Sequence, residues 1–145
     1  MSNLARYFNS RGRLVAGYDR TKSTLTSELE SEGISVHYAD DLKFIPEAFL
    51  DKENTLIVRT PAVPESHSEL TYFKTNGFRI MKRAEILGEV SKDDKCLCIS
   101  GTHGKTTTSM ITAHLLKQSH VDCNAFLGGI SNNYETNLLL SQKSD

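Results

Sequence analysis

The chain predicts an α/β protein with a doubly wound, mostly parallel sheet, and three observations carry that prediction. Short apolar runs alternate with amphipathic stretches along most of its 145 residues. Gly12, Gly33 and Gly77 stand where helices should stop. The stretch Ile99-Ser100-Gly101-Thr102-His103-Gly104-Lys105-Thr106-Thr107-Thr108 joins an apolar strand to a helix through a glycine turn.

The elements follow in order. Leu4 to Asn9, carrying Leu4, Ala5, Tyr7 and Phe8, reads as a helix closed by Gly12. Arg13 to Tyr18 is a strand ended by Asp19, Ser23 to Glu32 a helix stopped by Gly33, and Ile34 to Tyr38 a short strand. Pro46 to Leu50 forms a helical turn, Thr55 to Arg59 a buried strand, and Glu65 to Asn76 a helix ending at Gly77. Phe78 to Met81 is a strand, Ala84 to Val90 a helix, and Lys95 to Ser100 the strand feeding the glycine turn. A helix then runs to Ser119, and a last strand spans Asn124 to Leu127.

The polar run Ser91-Lys92-Asp93-Asp94-Lys95 marks a boundary, giving one domain over residues 1–92 and the start of another over 93–145. No strand precedes the opening helix, and the second unit stops after a single strand-loop-helix-strand. Parallel sheets need covered faces and neighbours, so the chain is expected to be a fragment of a longer protein.

Composition narrows the class. With 38% hydrophobic residues, 24% charged residues and a net charge of −1, the chain reads as an ordinary globular protein. It has no basic stripe for nucleic acid, no apolar run near the ~20 residues of a spanning helix, and no signal-peptide core. A cytoplasmic location is expected. Cys96, Cys98 and Cys123 sit in apolar segments, and Cys-x-Cys is too tight for ordinary zinc spacing, so buried reduced thiols are expected.

The glycine turn is where chemistry concentrates. Gly101 and Gly104 lack Cβ atoms, so the backbone can adopt positive φ and aim successive N–H groups at an anion. Lys105 supplies a point charge for β- and γ-phosphates, Thr106 a hydroxyl for Mg²⁺, and the helix N-terminus its partial positive charge. The expected ligand is ATP with magnesium. The loop is shorter than the general Walker pattern, because Ile99 stands where that pattern wants glycine.

Met1-Ser2-x-Leu4-Ala5-Arg6, Gly17-Tyr18-Asp19, Thr60-Pro61-Ala62-Val63-Pro64, Lys82-Arg83-Ala84-Glu85-Ile86-Leu87-Gly88 and Gly101-Thr102-His103-Gly104-Lys105-Thr106-Thr107 occur in this order. In these motifs the chain resembles the bacterial Mur ligases over essentially its whole length. His103 points to the branch whose substrate begins with UDP-N-acetylmuramic acid; other members usually carry asparagine there. The resemblance implies a Rossmann-like UDP-binding domain lacking its first strand and glycine-rich loop, followed by the start of a P-loop ATPase domain. It implies transfer of the γ-phosphoryl group to the lactyl carboxylate of UDP-N-acetylmuramate, then attack of L-alanine on the acyl phosphate. Lys105 would be the catalytic cation and Thr106 the magnesium ligand. Gly101, Thr102, His103, Gly104 and Thr107 would add backbone and hydroxyl contacts to ATP. The family's acidic magnesium motif and its amino-acid domain lie beyond Asp145, so the chain by itself is expected to be inactive.

Other residues carry two readings each. Asp19 ends a strand where nucleotide folds place a ribose-binding carboxylate, or it is a turn residue. Thr60, Pro61 and Ala62 begin a loop at a strand's C-terminal end that the resemblance turns toward UDP; otherwise they are a proline-stiffened turn. Arg83 pairs a phosphate or a neighbouring carboxylate. Gly128 and Gly129 allow close backbone approach or make a turn. His37, His67, His114 and His120 read as surface or packing histidines. Three competing functions remain: a ligase joining a whole tripeptide to the same sugar nucleotide, a P-loop ATPase or GTPase of another family, and an NAD-type binding module. The last leaves Gly104-Lys105-Thr106 unexplained.

Overall fold

A computed structural model describes residues 1–141, which divide into two compact units. The first comprises residues 15–96 with Met1; the second comprises residues 2–14 and 97 onward.

In the first unit, β1 (Ala16–Tyr18) leads through α2 (Thr24–Ser31) to β2 (Ser35–His37). The strands pair in parallel, Gly17 opposite Val36, as a strand-helix-strand crossover requires. Helix α2 starts where expected because Ser23 and Thr26 form a reciprocal cap, the Ser23 hydroxyl accepting from the Thr26 N–H at 3.2 Å and Thr26 Oγ1 from the Ser23 N–H at 2.9 Å. Gly33 follows it with φ +85°, a conformation that favours glycine. Two 3₁₀ turns, Leu42–Phe44 and Glu47–Phe49, lead to β3 (Leu56–Arg59). Strand β3 then passes through α3 (Ser68–Thr75) to β4 (Arg79–Lys82) in a second parallel pair, Ile57 opposite Ile80. Helix α4 (Arg83–Val90) follows directly, its Glu85 carboxylate accepting from the Lys82 N–H at 2.6 Å. Leu29, Ile34, Leu70, Phe73, Phe78 and Ile86 are buried, with Phe73 and Phe78 edge to face at 4.9 Å.

The second unit contains α1 (Ser2–Ser10), α5 (Lys105–Gln118), β5 (Ala125–Ser131) and β6 (Thr136–Leu139). Strands β5 and β6 form an antiparallel hairpin whose register breaks between Phe126 and Ser131. Ala113, Leu127 and Leu139 make its core, with Met110, Cys123, Ala125 and Tyr134 packed around them. Helix α1 belongs to this hairpin. Leu4 is only 2% exposed, Asn3 Nδ2 donates to the Leu127 carbonyl at 3.4 Å, and Asn137 Nδ2 donates to Ser2 Oγ at 3.0 Å.

By contact the compact units divide after Cys96, and α1 groups with β5 and β6, against which its buried face packs. Three expectations are corrected. Lys95–Ser100 forms no strand: a strand needs a ladder partner, and none of the described strands pairs with it. Its thiols are accordingly not buried; Cys96 and Cys98 are exposed and Leu97 is 69% exposed. Gly128 and Gly129 lie inside β5 rather than after it, because that strand runs on to Ser131.

Candidate functional site

The segment before α5 takes the glycine conformations its sequence implied. Gly101 has φ +149° and Gly104 φ +75°, ψ −1°, so Gly104 is the left-handed N-cap from which α5 begins. The Gly104 carbonyl accepts from the Thr108 N–H at 2.9 Å, fixing the first turn. Lys105 folds back over the loop, its ammonium donating to the Gly101 carbonyl at 2.6 Å and the Thr102 carbonyl at 3.1 Å. Residues 101–108 are all exposed. A cation held on exposed carbonyls beside a helix N-terminus is chemically suited to exchange those carbonyls for phosphate oxygens.

The threonine run is not uniform. Thr106 approaches the glycine pair of β5: a Cβ built on Gly128 would sit 3.2 Å from Thr106 Oγ1, and one on Gly129 would sit 3.5 Å from Thr106 Cγ2. The Thr106 hydroxyl has no hydrogen-bond partner among the described residues. An open hydroxyl at the helix start, a folded-over ammonium and a glycine-bounded turn form a donor set that fits a magnesium nucleotide. A hydroxyl alone does not hold Mg²⁺, which takes further oxygens from phosphates and water.

The other predicted residues lie in the first unit. Asp19 ends β1, its N–H donating to the His37 carbonyl at 3.0 Å and its carboxylate accepting from the Thr21 N–H at 3.2 Å. Asp19 and Arg83 both act on the Met1 amine, whose pKa is lowered by burial first and by Arg83 second, with Asp19 opposing. Arg83 Nε is buried with no hydrogen-bond partner among the described residues, an orphaned donor that an anion would satisfy. Thr60, Pro61 and Ala62 follow β3 in a turn closed by the Val63 N–H donating to the Thr60 carbonyl at 3.2 Å. Nearby, Glu65 bridges Lys74 and Arg59, and those hydrogen bonds, Lys74 first, hold its carboxyl below the usual range.

Two histidines read as surface or packing residues lie against carboxylates, His37 half-buried and His67 buried. His37 Nε2 lies 2.6 Å from Glu69 Oε1, and His67 Nδ1 lies 3.4 Å from Asp40 Oδ1. Tyr18 packs edge-on to His67 at 4.4 Å, and Phe44 stacks on His37. Asp40 also accepts from the Ser68 N–H at 3.0 Å, capping α3. The available signal was the recurrence of His and acidic residues around α3, where Ser68 meets Asp40 and Glu69 meets His37 across 28 and 32 residues of sequence.

The family profile described as Mur ligase family, catalytic domain, matches residues 1–95. The chain belongs to the Mur ligase family. A UDP-N-acetylmuramate–L-alanine ligase of Porphyromonas gingivalis is 66% identical over all 145 residues, which cover 32% of that protein. One from Parabacteroides distasonis is 61% identical over the same span and 31% of its own length. The chain therefore spans about a third of the curated Mur ligases it matches. Among solved Mur ligases, the Thermotoga maritima UDP-N-acetylmuramate-alanine ligase superposes with a TM-score of 0.86 at 26% identity, over 97% of this chain and 32% of that one. A UDP-N-acetylmuramate:L-alanyl-γ-D-glutamyl-meso-diaminopimelate ligase from Neisseria meningitides shares the fold, with a TM-score of 0.82 at 23% identity over 99% of this chain and 44% of that one. These neighbours are α/β proteins with parallel sheets.

Proposed function

We propose that this chain is the N-terminal portion of an ATP-dependent ligase that joins L-alanine to UDP-N-acetylmuramate in the cytoplasm, and that by itself it does not turn over. The observation that carries the reading is the turn at 101–106, where two positive-φ glycines, the Lys105 ammonium and the open Thr106 hydroxyl meet at one helix start. Identity of 66% and 61% to proteins named for that reaction supports the substrate assignment.

Under this reading residues 1–92 are a Rossmann-like UDP-sugar domain and 93–145 open a P-loop ATPase domain. The two parallel pairs, β1 with β2 and β3 with β4, support this reading, because a Rossmann-like domain is built of parallel strands joined by helices. Asp19, Thr60, Pro61, Ala62 and Arg83 face the sugar nucleotide, with the orphaned Arg83 Nε the donor waiting for an anion. Gly101, Thr102, His103, Gly104 and Thr107 contact ATP. Lys105 leaves the Gly101 and Thr102 carbonyls for the β- and γ-phosphates and neutralises charge as the phosphoryl group moves to the lactyl carboxylate. Magnesium, when bound, withdraws charge from the phosphates, and Thr106 is this chain's ligand to it.

The likeness to tripeptide-joining ligases keeps that acceptor as the second reading. The test is phosphate release by the full-length protein with UDP-N-acetylmuramate, Mg²⁺ and either L-alanine or the L-Ala-γ-D-Glu-diamino acid tripeptide. Turnover requiring sugar nucleotide, Mg²⁺ and alanine together is expected. Turnover with tripeptide alone reassigns the acceptor, and hydrolysis indifferent to acceptor and sugar nucleotide rejects the ligase reading.

A further inference from the structure

We propose that Gly128 is a positioning residue for the Thr106 hydroxyl: by carrying no side chain, it leaves that oxygen free to reach a divalent cation. The inference deepens the ATP-magnesium reading and rests on it. Glycine at this position is not demanded by the backbone, because neither Gly128 nor Gly129 has positive φ. Space is the constraint. A Cβ on Gly128 would meet Thr106 Oγ1 at 3.2 Å, tighter than nine in ten real Cβ contacts, whereas the Gly129 contacts, 3.5 Å to Thr106 Cγ2 and 3.6 Å to Met110 Cε, are ordinary. The two branches of Thr106 thus lie over two successive glycines, and only the hydroxyl branch is crowded.

The strand is shaped for this approach. Between the paired residues Phe126 and Ser131, β5 departs from the β6 ladder, and both glycines fall in that irregular stretch. Bulges re-aim chain toward sites, and a strand glycine marks close approach of another group. Threonine in a helix divides between two χ1 wells. A methyl at Gly128 would displace Oγ1 by a few tenths of an ångström or drive Thr106 into its other well. Either change moves the oxygen while leaving Lys105 and the loop amides in place, so nucleotide binding should persist and its coupling to the metal should weaken.

The experiment measures the affinity of a non-hydrolysable ATP analogue by calorimetry on the full-length ligase carrying this segment, with Mg²⁺ and with EDTA. Gly128→Ala is expected to weaken the Mg²⁺-supported affinity about 10-fold, the loss typical of disturbing a metal ligand's supporting residue, with the EDTA affinity unchanged. Gly129→Ala should leave both unchanged. In a Thr106→Ala background, where no Oγ1 remains to be met, adding Gly128→Ala should cost nothing further. Equal losses with and without metal, or wild-type affinity in Gly128→Ala, would overturn the inference. If Gly128→Ala alone is insoluble, a soluble double variant supports the contact with Thr106, and an insoluble one overturns it. A wild-type protein whose analogue affinity ignores Mg²⁺ would overturn the ATP-magnesium reading and this inference with it.

Discussion

Removing the Lys105 ammonium separates a binding role from a structural one. In the structure the ammonium makes two hydrogen bonds, at 2.6 and 3.1 Å, both to exposed carbonyls of its own loop. Water can replace it at both, and no buried carboxylate is left uncompensated, so Lys105→Ala should cost at most about 1 kcal/mol of stability, the net value of an ordinary hydrogen bond. If the same ammonium moves to the phosphates during transfer, its loss should lower turnover about 10²–10³-fold, as losing one preorganised charge-stabilising group does. That corresponds to ~2.7–4 kcal/mol, well beyond the stability cost. Phosphate release with saturating substrates and urea unfolding of the same full-length variant measure the two quantities side by side. Turnover within threefold of wild type, or a stability loss as large as the activity loss, would refute the argument.

Two further outcomes follow from packing and protonation. Leu4→Ala should destabilise the second unit by about 2–5 kcal/mol, since Leu4 is almost fully buried there; hydrogen exchange should show faster opening of β5 and β6, with the amides of β1 to β4 unaffected. Thiol alkylation near neutral pH should be fast at exposed Cys96 and Cys98 and slow at Cys123, which burial raises in pKa. The raised pKa leaves less Cys123 thiolate at any pH below it, so the gap should narrow as pH rises; equal rates at pH 7.5 would contradict the burial.

What the sequence revealed depended on whether a signal was local. The helix stops at Gly12, Gly33 and Gly77 and the start of α5 after Gly104 are local chemistry, and each glycine takes positive φ in the structure. The strand at Lys95–Ser100 failed because an apolar run signals burial but not a partner, and pairing is decided by distant chain. Helix α3 begins at Ser68 rather than Glu65, because Asp40, far away in sequence, caps it there. Strand β6 was missed entirely: Thr136–Leu139 lacks alternation and follows a turn in which Glu135 adopts φ +52°. At the glycine turn the backbone shape was legible because the positive φ of Gly101 and Gly104 is local chemistry; the Gly128–Thr106 contact was not, because it joins two segments over a distance that no spacing rule encodes.

Helix α1 docking on β5 and β6 also orders events in time. The hydrogen bonds that tie it down span 124 and 135 residues of sequence, so during synthesis α1 waits for β5 and β6. The parallel pairs between them close over far shorter loops and can form first, since loop-closure entropy grows with length. Once they have formed, the intervening chain is a compact body rather than a random coil, which shortens the distance α1 must search. Until then the apolar face of α1 around Leu4 is uncovered, and exposed apolar surface of that kind invites aggregation and chaperone capture.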